Sequence, residues 1–151
     1  MKKIKIRKAK KSDFKDVLGL INELAIFEKL PLPDTAAKKR LKNDAFGKKP
    51  MFNILVAETK EGFAGYAFYF FTYSSFRAKK TLYLEDIFIT ENMRRQGVGK
   101  LFFKELLKIS KKKDCGRMEW CVLDWNTNAI NFYNKNSKER MIKGAPSIKR
   151  P

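Results

Sequence analysis

The chain has no histidine, and this absence removes several kinds of chemistry. Histidine is the usual general base near neutral pH and the commonest side-chain ligand of transition metals. It also activates most serine and cysteine nucleophiles. A catalytic function would therefore have to use carboxylates, tyrosine, lysine, arginine or backbone amides.

Cysteine is nearly absent as well. The two thiols, Cys115 and Cys121, have neither CxxC spacing nor the number that a disulfide scaffold needs. Because zinc sites are built mainly from cysteine and histidine, the sequence predicts no metal. No histidine is present to activate a thiol, so we predict no covalent enzyme intermediate and expect Cys121 in the core. This cysteine usage fits a reducing, cytoplasmic compartment.

Long apolar runs are also lacking. A helix needs about 20 apolar residues to span a bilayer, and no segment approaches that length. The basic N-terminus, MKKIKIRKAKKSD, has no apolar stretch of the kind found in signal peptides. We therefore predict no membrane partner. At 151 residues with 44% hydrophobic residues, the chain is predicted to form a single domain over 1–151.

Acidic residues are few. Lysine and arginine number 34 against 16 for aspartate and glutamate, which gives a net charge of +18. Lysines dispersed over helix faces are typical of a solvated surface, and this is the interpretation that we favour. The alternative is a basic module that binds nucleic acid electrostatically.

The hydrophobic pattern alternates between strand and helix periods, which predicts an α/β fold. The first strand is expected over 3–8, followed by helices that run to about 29 and, after the PLPD break at 31–34, to about 45. Strands are predicted over 52–58 and 63–73, as a hairpin, and over 81–89. A helix over 98–112, a strand over 117–125 ending in a core Trp125, and a short helix over 127–134 complete the order.

The stretch RRQGVG, residues 94–99, combines two arginines with two glycines between a strand and a helix. It matches neither GxxxxGK[ST] nor GxGxxG. Glycines let backbone N–H groups approach an anion, and a helix points the positive end of its dipole at the same place. Arg94, Arg95 and Lys100 add formal charge. The pattern favours a phosphate site, and a plain turn with exposed arginines is the alternative.

Glu85 and Asp86 are adjacent acids inside the apolar run TLYLEDIFI at 81–89. Side chains alternate along a strand, so the two carboxylates are expected on opposite faces. Burying a carboxylate is costly unless a cation accompanies it. That cation is either a lysine or arginine of the chain or a bound cationic substrate.

Several segments together resemble the GCN5-related N-acetyltransferases (GNAT). Arg94-x-x-Gly97-x-Gly99 is similar to that superfamily's acetyl-CoA signature. The stretches ELAIFEKL (23–30), FAGYAFYFFTYSSF (63–76), TLYLEDIFI and LDWNTNAINFY (123–133) resemble the diamine acetyltransferases of the spermidine/spermine and thialysine type. The resemblance covers about 3–133 and implies the GNAT fold, a central mixed β-sheet flanked by helices.

The same resemblance implies acetyl-CoA as co-substrate and a small cationic amine as acceptor. Glu85 would be the general base, through a water, and Tyr133 the acid that protonates the leaving thiolate. The acceptor would contact Phe27, Glu28, Glu85 and Asp86. The backbone at Phe88 would stabilise the thioester oxygen. The cofactor contacts implied for this chain are Ile87, Phe88, Ile89, Arg94, Arg95, Gln96, Gly97, Val98, Gly99, Lys100 and Asn126.

The tail over 134–151 departs from the family. Relatives of this type continue with further strands that contribute to a homodimer, whereas NKNSKERMIKGAPSIKRP predicts no clear strand. The C-terminal strands are therefore expected to be missing or altered. Alternatives remain for the function: the same fold acting on an aminoglycoside, a protein lysine or an N-terminus, a family member that has lost turnover, and the nucleic-acid module.

Overall fold

The computed structural model describes residues 4–137, so residue 3 of the first predicted strand and the tail from 138 onward lie outside the described residues. The α/β prediction is confirmed. In chain order the strands and α-helices are β1 Lys5–Lys8, α1 Phe14–Phe27, α2 Thr35–Phe46, β2 Asn53–Thr59, β3 Gly62–Ser74, β4 Lys79–Ile89, α3 Val98–Lys112, β5 Arg117–Trp120 and α4 Thr127–Asn136.

The five strands form one sheet in the order β1-β2-β3-β4-β5. Strand β1 is antiparallel to β2, with Lys5 opposite Glu58. Strand β4 is parallel to β5, with Thr81 opposite Arg117. The predicted mixed sheet is therefore confirmed, and its parallel pair is joined through α3, as a parallel connection requires.

Two compact units divide the chain. Among the described residues, the first contains 4–68 together with Asp86–Phe102, and its core includes the fully buried Val17, Val56 and Tyr66. The second contains Tyr69–Glu85 and 103–137, with Leu82, Leu84, Leu106 and Met118 fully buried.

The ends of the helices follow capping rules. In α2 the Asp34 carboxylate accepts a hydrogen bond from the Ala37 N–H at 2.7 Å, which explains why the helix begins after PLPD. At the end of α1, Lys29 adopts a left-handed φ of 56°. Its N–H donates to the Ile26 carbonyl, and the Leu30 N–H donates to that of Ala25. This pair of bonds is a Schellman motif, which fixes the last turn of α1.

The predicted strand over 117–125 is wrong at its C-terminal end. Pairing of β5 with β4 stops at Trp120, opposite Leu84, and the following residues have no strand partner. Trp125, expected in the core, lies in a turn and is 52% exposed. Cys121 is only part-buried, with its Sγ 3.0 Å from the Tyr83 Oη, so its expected core position is wrong too.

Arg7 joins three segments of the first unit. Its guanidinium donates to the Asp13 carboxylate at 2.7 Å and to the Glu58 carboxylate at 2.7 Å, and it lies over the Phe63 ring at 5.4 Å. The Asp13 Oδ2 also accepts from the Lys10 N–H at 2.7 Å. The hydrogen bond from Arg7 is the main reason why the pKa of Asp13 lies below its ordinary value.

Replacing Asp13 with asparagine should remove a pH-dependent part of the stability. A carboxyl whose pKa is lowered by folding stabilises fully above its unfolded pKa of about 3.9 and loses that effect as the pH falls through the lowered value. We expect Asp13→Asn to reduce the free energy of unfolding by about 1 kcal/mol at pH 7 and by much less near pH 3. Urea titrations across this range measure the difference.

The exposed Asp16, in the first turn of α1, provides the matched control Asp16→Asn. Its effect on the free energy of unfolding should be small at every pH. A difference between wild type and Asp13→Asn that stays constant from pH 7 to pH 3 would contradict the role of the ionised carboxylate.

Gly65 allows β3 to approach β4 closely. A Cβ at this position would lie 2.2 Å from the Phe88 carbonyl oxygen and 3.1 Å from the Ile89 Cα. Next to this contact, the Thr90 N–H donates to the Ala64 carbonyl at 3.0 Å. A third close atom, Ile89 Cδ1 at 3.1 Å, belongs to a side chain and could move, but the Phe88 carbonyl oxygen and the Ile89 Cα are backbone atoms, so side-chain rotation alone cannot make room for a Cβ.

We expect Gly65→Ala to destabilise the protein by about 1–3 kcal/mol, because it forces the backbone of β4 to shift. Gly19 is the matched control: it lies in α1 with no atom within 4 Å of an added Cβ. Gly19→Ala should stabilise by about 0.5–1 kcal/mol, since alanine is the better helix former. Urea denaturation measures both, and a Gly65→Ala variant as stable as wild type would show that the close approach is not required.

Candidate active site

The loop between β4 and α3 has the backbone of an anion-binding turn. Its start is fixed by the buried Met93, whose N–H donates to the Thr90 carbonyl at 2.9 Å. Arg95 and Gly97 both have positive φ, 61° and 81°, a conformation that recurs in turns whose backbone N–H groups bind anions. A Cβ added to Gly97 would have no neighbour within 4 Å, so space does not require glycine here. Glycine is favoured because the backbone has a positive φ.

Helix α3 begins immediately after this turn. The Gly97 carbonyl accepts from the Leu101 N–H at 3.1 Å and so receives the first bond of the helix. The N–H groups of Val98, Gly99 and Lys100 precede that bond and have no acceptor in a preceding helical turn. The positive end of the helix dipole lies at the same place. The prediction that this loop binds a pyrophosphate stays a prediction.

Two side chains of the loop have partners within the chain. Gln96 donates through Nε2 to the Asn92 carbonyl at 2.9 Å, which stabilises the turn. Arg94 donates through Nε to the Ile89 carbonyl at 3.1 Å, and its guanidinium carbon lies 5.2 Å from the centre of the Phe27 ring and 5.9 Å from that of Phe88. These contacts of Arg94 could not be predicted from the sequence, because they depend on where α1 ends in space.

The first unit brings the predicted acceptor residue Phe27 close to the cofactor loop, through Arg94. Glu28 follows Phe27 as the C-terminal cap of α1, and it is part-buried. In β4, Phe88 is buried, while Ile87 and Ile89 are part-buried. A strand with these backbone groups near a surface can hold an extended pantetheine arm in the manner of an added strand.

Asp86 is part-buried, and its Oδ2 accepts a hydrogen bond from the Tyr66 hydroxyl at 3.4 Å. Tyr66 is fully buried in β3, so this donor is fixed by the core of the first unit. The sequence reasoning missed Tyr66, because it reads as one more aromatic residue in the run FAGYAFYFFTY. A polar atom opposite an acid in the neighbouring strand is the signal that would have found it.

In the second unit, Glu85 occupies the β4 position next to Asp86 and is also part-buried. Tyr133 lies in α4 and is only 6% exposed. Its ring stacks on Trp120 with centroids 4.8 Å apart and packs against Phe103 and Phe132. An aromatic pocket therefore fixes the phenol in orientation. The sequence reasoning did not identify Trp120 as the residue that positions Tyr133.

Asn126 precedes α4 and accepts a hydrogen bond through Oδ1 from the Ala129 N–H at 3.1 Å. It is therefore the N-cap of the helix that carries Tyr133. Its predicted contact with CoA stays a prediction, and the cap is a role that the sequence pattern had not indicated.

Metal sites, membrane-spanning helices and reactive thiols are further features that bear on the function of the described residues. Between residues 4 and 137, no group of three or more cysteine, aspartate or glutamate side chains is arranged to hold a metal ion. In that same range no helix is both long and apolar enough to cross a membrane. Cys115 is buried, and burial raises the pKa of its thiol, which makes it a poor nucleophile.

Comparison with known proteins identifies the family of the chain. A model of the acetyltransferase (GNAT) family matches residues 19–137. Mouse (Mus musculus) thialysine N-epsilon-acetyltransferase is 37% identical over 141 residues, which cover 88% of this chain and 82% of that protein. The human (Homo sapiens) spermidine/spermine N(1)-acetyltransferase-like protein 1 is 35% identical over 135 residues, 85% of this chain but 19% of its own length.

Solved structures agree at the level of the fold. An aminoglycoside N-acetyltransferase in complex with CoA superposes with a TM-score of 0.76 at 18% identity, covering 100% of this chain and 97% of that one. The family match identifies the protein as an N-acetyltransferase that uses acetyl-CoA. The chain belongs to the GNAT family of acetyltransferases.

Proposed function

We propose that the protein transfers the acetyl group of acetyl-CoA to a primary amine of a small diamine or polyamine, of the thialysine or spermidine type. The single observation that carries this proposal is the pair of part-buried acids at successive positions of β4, Glu85 and Asp86. The Asp86 carboxylate accepts a hydrogen bond from the buried Tyr66 hydroxyl, which holds it in place, and a carboxylate held in this way can bind a cationic acceptor through charge-assisted hydrogen bonds. The names of the mouse and human relatives support the same acceptor class.

The net charge of +18 repels a cationic acceptor at long range. At an ionic strength of 0.15 M such repulsion is screened beyond about 8 Å, whereas contacts with carboxylates are made at much shorter distance. Recognition therefore depends on local acids. In this proposal Asp86, Phe27 and Glu28 contact the acceptor, with the Phe27 ring available to its cationic or methylene groups.

The loop residues hold the pyrophosphate in this proposal. Backbone N–H groups of Gly97, Val98 and Gly99 donate to the phosphate oxygens, and Arg95 and Lys100 add charge. The remaining assigned cofactor contacts are Ile87, Phe88 and Ile89 through their backbone, Gln96 as the residue that fixes the turn, and Asn126. When bound, acetyl-CoA supplies an activated acyl group with a thiolate leaving group.

Proton movement is divided between two residues. A primary amine is protonated at neutral pH and has no lone pair for attack, so Glu85 accepts its proton through a water. The departing thiolate requires a proton, and the Tyr133 hydroxyl donates it. Attack of the neutral amine forms the C–N bond, and collapse of the tetrahedral intermediate breaks the C–S bond. The nitrogen loses two protons in all. Glu85 takes the first before attack and passes it to solvent, and the second, lost after attack, restores the Tyr133 hydroxyl once the phenol has protonated the thiolate.

The assembly that we propose is a cytoplasmic homodimer with a single domain over 1–151. The resemblance to diamine acetyltransferases is the basis for this part. Analytical ultracentrifugation of the full chain, with and without acetyl-CoA, measures its oligomeric state. A monomer under both conditions would contradict the homodimer.

The function is tested by thiol release from acetyl-CoA with the full chain. Thialysine, spermidine, an aminoglycoside and a lysine peptide serve as parallel acceptors, with an amine-free reaction as control. We expect saturable release with thialysine or spermidine and little with the peptide. Saturation only with the aminoglycoside or the peptide would overturn the acceptor class, and release equal to the amine-free control would overturn the function.

Tyr133→Phe tests the proposed acid. The change keeps the ring that stacks on Trp120 and removes only the hydroxyl, so the fold and the acetyl-CoA affinity should be retained. We expect kcat to fall by about 10²–10⁴-fold, the usual range for loss of a general acid. Steady-state kinetics and acetyl-CoA titration measure the two quantities.

Tyr69→Phe is the matched control, since Tyr69 is another buried tyrosine of the same unit. Burial raises the pKa of its hydroxyl, and it packs edge-on against Phe71 at 5.9 Å. Its kcat should stay within a factor of about two of wild type, as expected for a substitution away from the reacting groups. If Tyr133→Phe turned over as fast as Tyr69→Phe, Tyr133 would not be the acid.

A further inference from the structure

Arg94 contacts three neighbouring residues of the first unit. Its Nε donates to the Ile89 carbonyl, and its guanidinium lies over the rings of Phe27 and Phe88. The three neighbours come from the end of α1 and the end of β4. The side chain of Arg94 therefore connects two elements of the first unit at the point where the cofactor loop begins.

The two adjacent arginines differ in backbone conformation, which separates their side chains. Arg94 is extended, with φ −65° and ψ 157°, whereas Arg95 has the left-handed φ of 61°. Arg95 therefore belongs to the turn that presents N–H groups to an anion. Arg94 lies before that turn, with its guanidinium over two aromatic faces, where a cation is attracted to the ring.

Phe27 is a suitable partner because its own position is fixed. The Schellman motif that ends α1 holds the backbone on its C-terminal side, through the bonds from Lys29 to Ile26 and from Leu30 to Ala25. The Phe27 ring is 39% exposed, so one part of it remains accessible to a ligand while Arg94 lies over it. Replacing the Arg94 side chain would therefore change the position or exposure of the Phe27 ring.

We propose that Arg94 is a positioning residue that couples the acetyl-CoA loop to the acceptor-binding end of α1, in place of a role as a phosphate ligand. In this proposal, contact of acetyl-CoA with the loop restrains Arg94, and Arg94 in turn restrains the Phe27 ring and the adjacent Glu28. Because such coupling is reciprocal, acceptor binding also strengthens acetyl-CoA binding. The proposal rests on the proposed function for the identity of the acceptor.

Kinetics of Arg94→Gln and Arg94→Lys distinguish the two roles. In Arg94→Gln we expect the acceptor KM to rise about two- to five-fold, the loss expected for one exposed cation–π contact, with little change in the acetyl-CoA Kd. Arg94→Lys keeps the cation and should recover part of this loss. A rise in the acetyl-CoA Kd with an unchanged acceptor KM would overturn the proposal and assign Arg94 to the phosphate.

Three further variants serve as comparisons. Arg95→Gln should raise mainly the acetyl-CoA Kd, which gives the signature of a phosphate contact in the same assay. Arg40→Gln changes an exposed arginine on α2 and should alter neither quantity. In the double variant Phe27→Leu with Arg94→Gln, the effect of the second substitution on acceptor KM should disappear, and simple additivity would contradict the pairing.

A measurement that needs no turnover separates failure of this proposal from failure of the function. CoA is titrated into ¹⁵N-labelled protein, and the amide resonances of Phe27 and Glu28 are followed by NMR. We expect them to shift in wild type and in Arg40→Gln but not in Arg94→Gln. Equal shifts in wild type and Arg94→Gln, or none in wild type, would overturn the coupling. If these shifts appear as expected and no amine is acetylated, the proposed function alone has failed.

Discussion

Several packing and hydrogen-bond contacts of the first unit converge on the backbone of Phe88 and Ile89. The glycine at position 65 lets β3 lie against these two residues. Arg94 donates to the Ile89 carbonyl and covers the Phe88 ring, and the Thr90 N–H next in the chain bonds to Ala64. A strand end held on several sides in this way can present its remaining backbone groups in a fixed geometry, which is what precise binding of an extended ligand requires.

Much of the fold could be predicted from the sequence, because local signals and tertiary structure agree over most of the chain. Helix α3 was predicted with its observed bounds, 98–112. Helix α2 begins after PLPD because the Asp34 carboxylate accepts from the Ala37 N–H, and α3 begins after Gly97, whose carbonyl accepts from the Leu101 N–H. The strand over 117–125 failed because its last residues lack a pairing partner beyond Leu84. Pairing is a tertiary property, so the apolar run CVLDW could not reveal that limit.

Less of the candidate site than of the fold could be predicted from the sequence. Motif spacing indicated the loop over 94–100, and positive φ at Arg95 and Gly97 gives it a tight turn directly before α3. The contacts of Arg94, Tyr66 and Trp120 were not predictable, since each joins segments far apart in sequence: Arg94 meets Phe27, Tyr66 meets Asp86, and Trp120 meets Tyr133. Sequence periodicity assigns such residues to a face of an element but does not name their partners.

The contrasting positions of the two tryptophans have a spectroscopic consequence. Trp120 is 2% exposed and stacked on the proposed acid Tyr133, whereas Trp125 is 52% exposed beside the cap of the same helix. The chain has no other tryptophan. Its intrinsic fluorescence is therefore the sum of one emitter shielded from iodide and one open to it. The shielded emitter reports directly on the packing around Tyr133, so the protein carries its own optical probe of that residue.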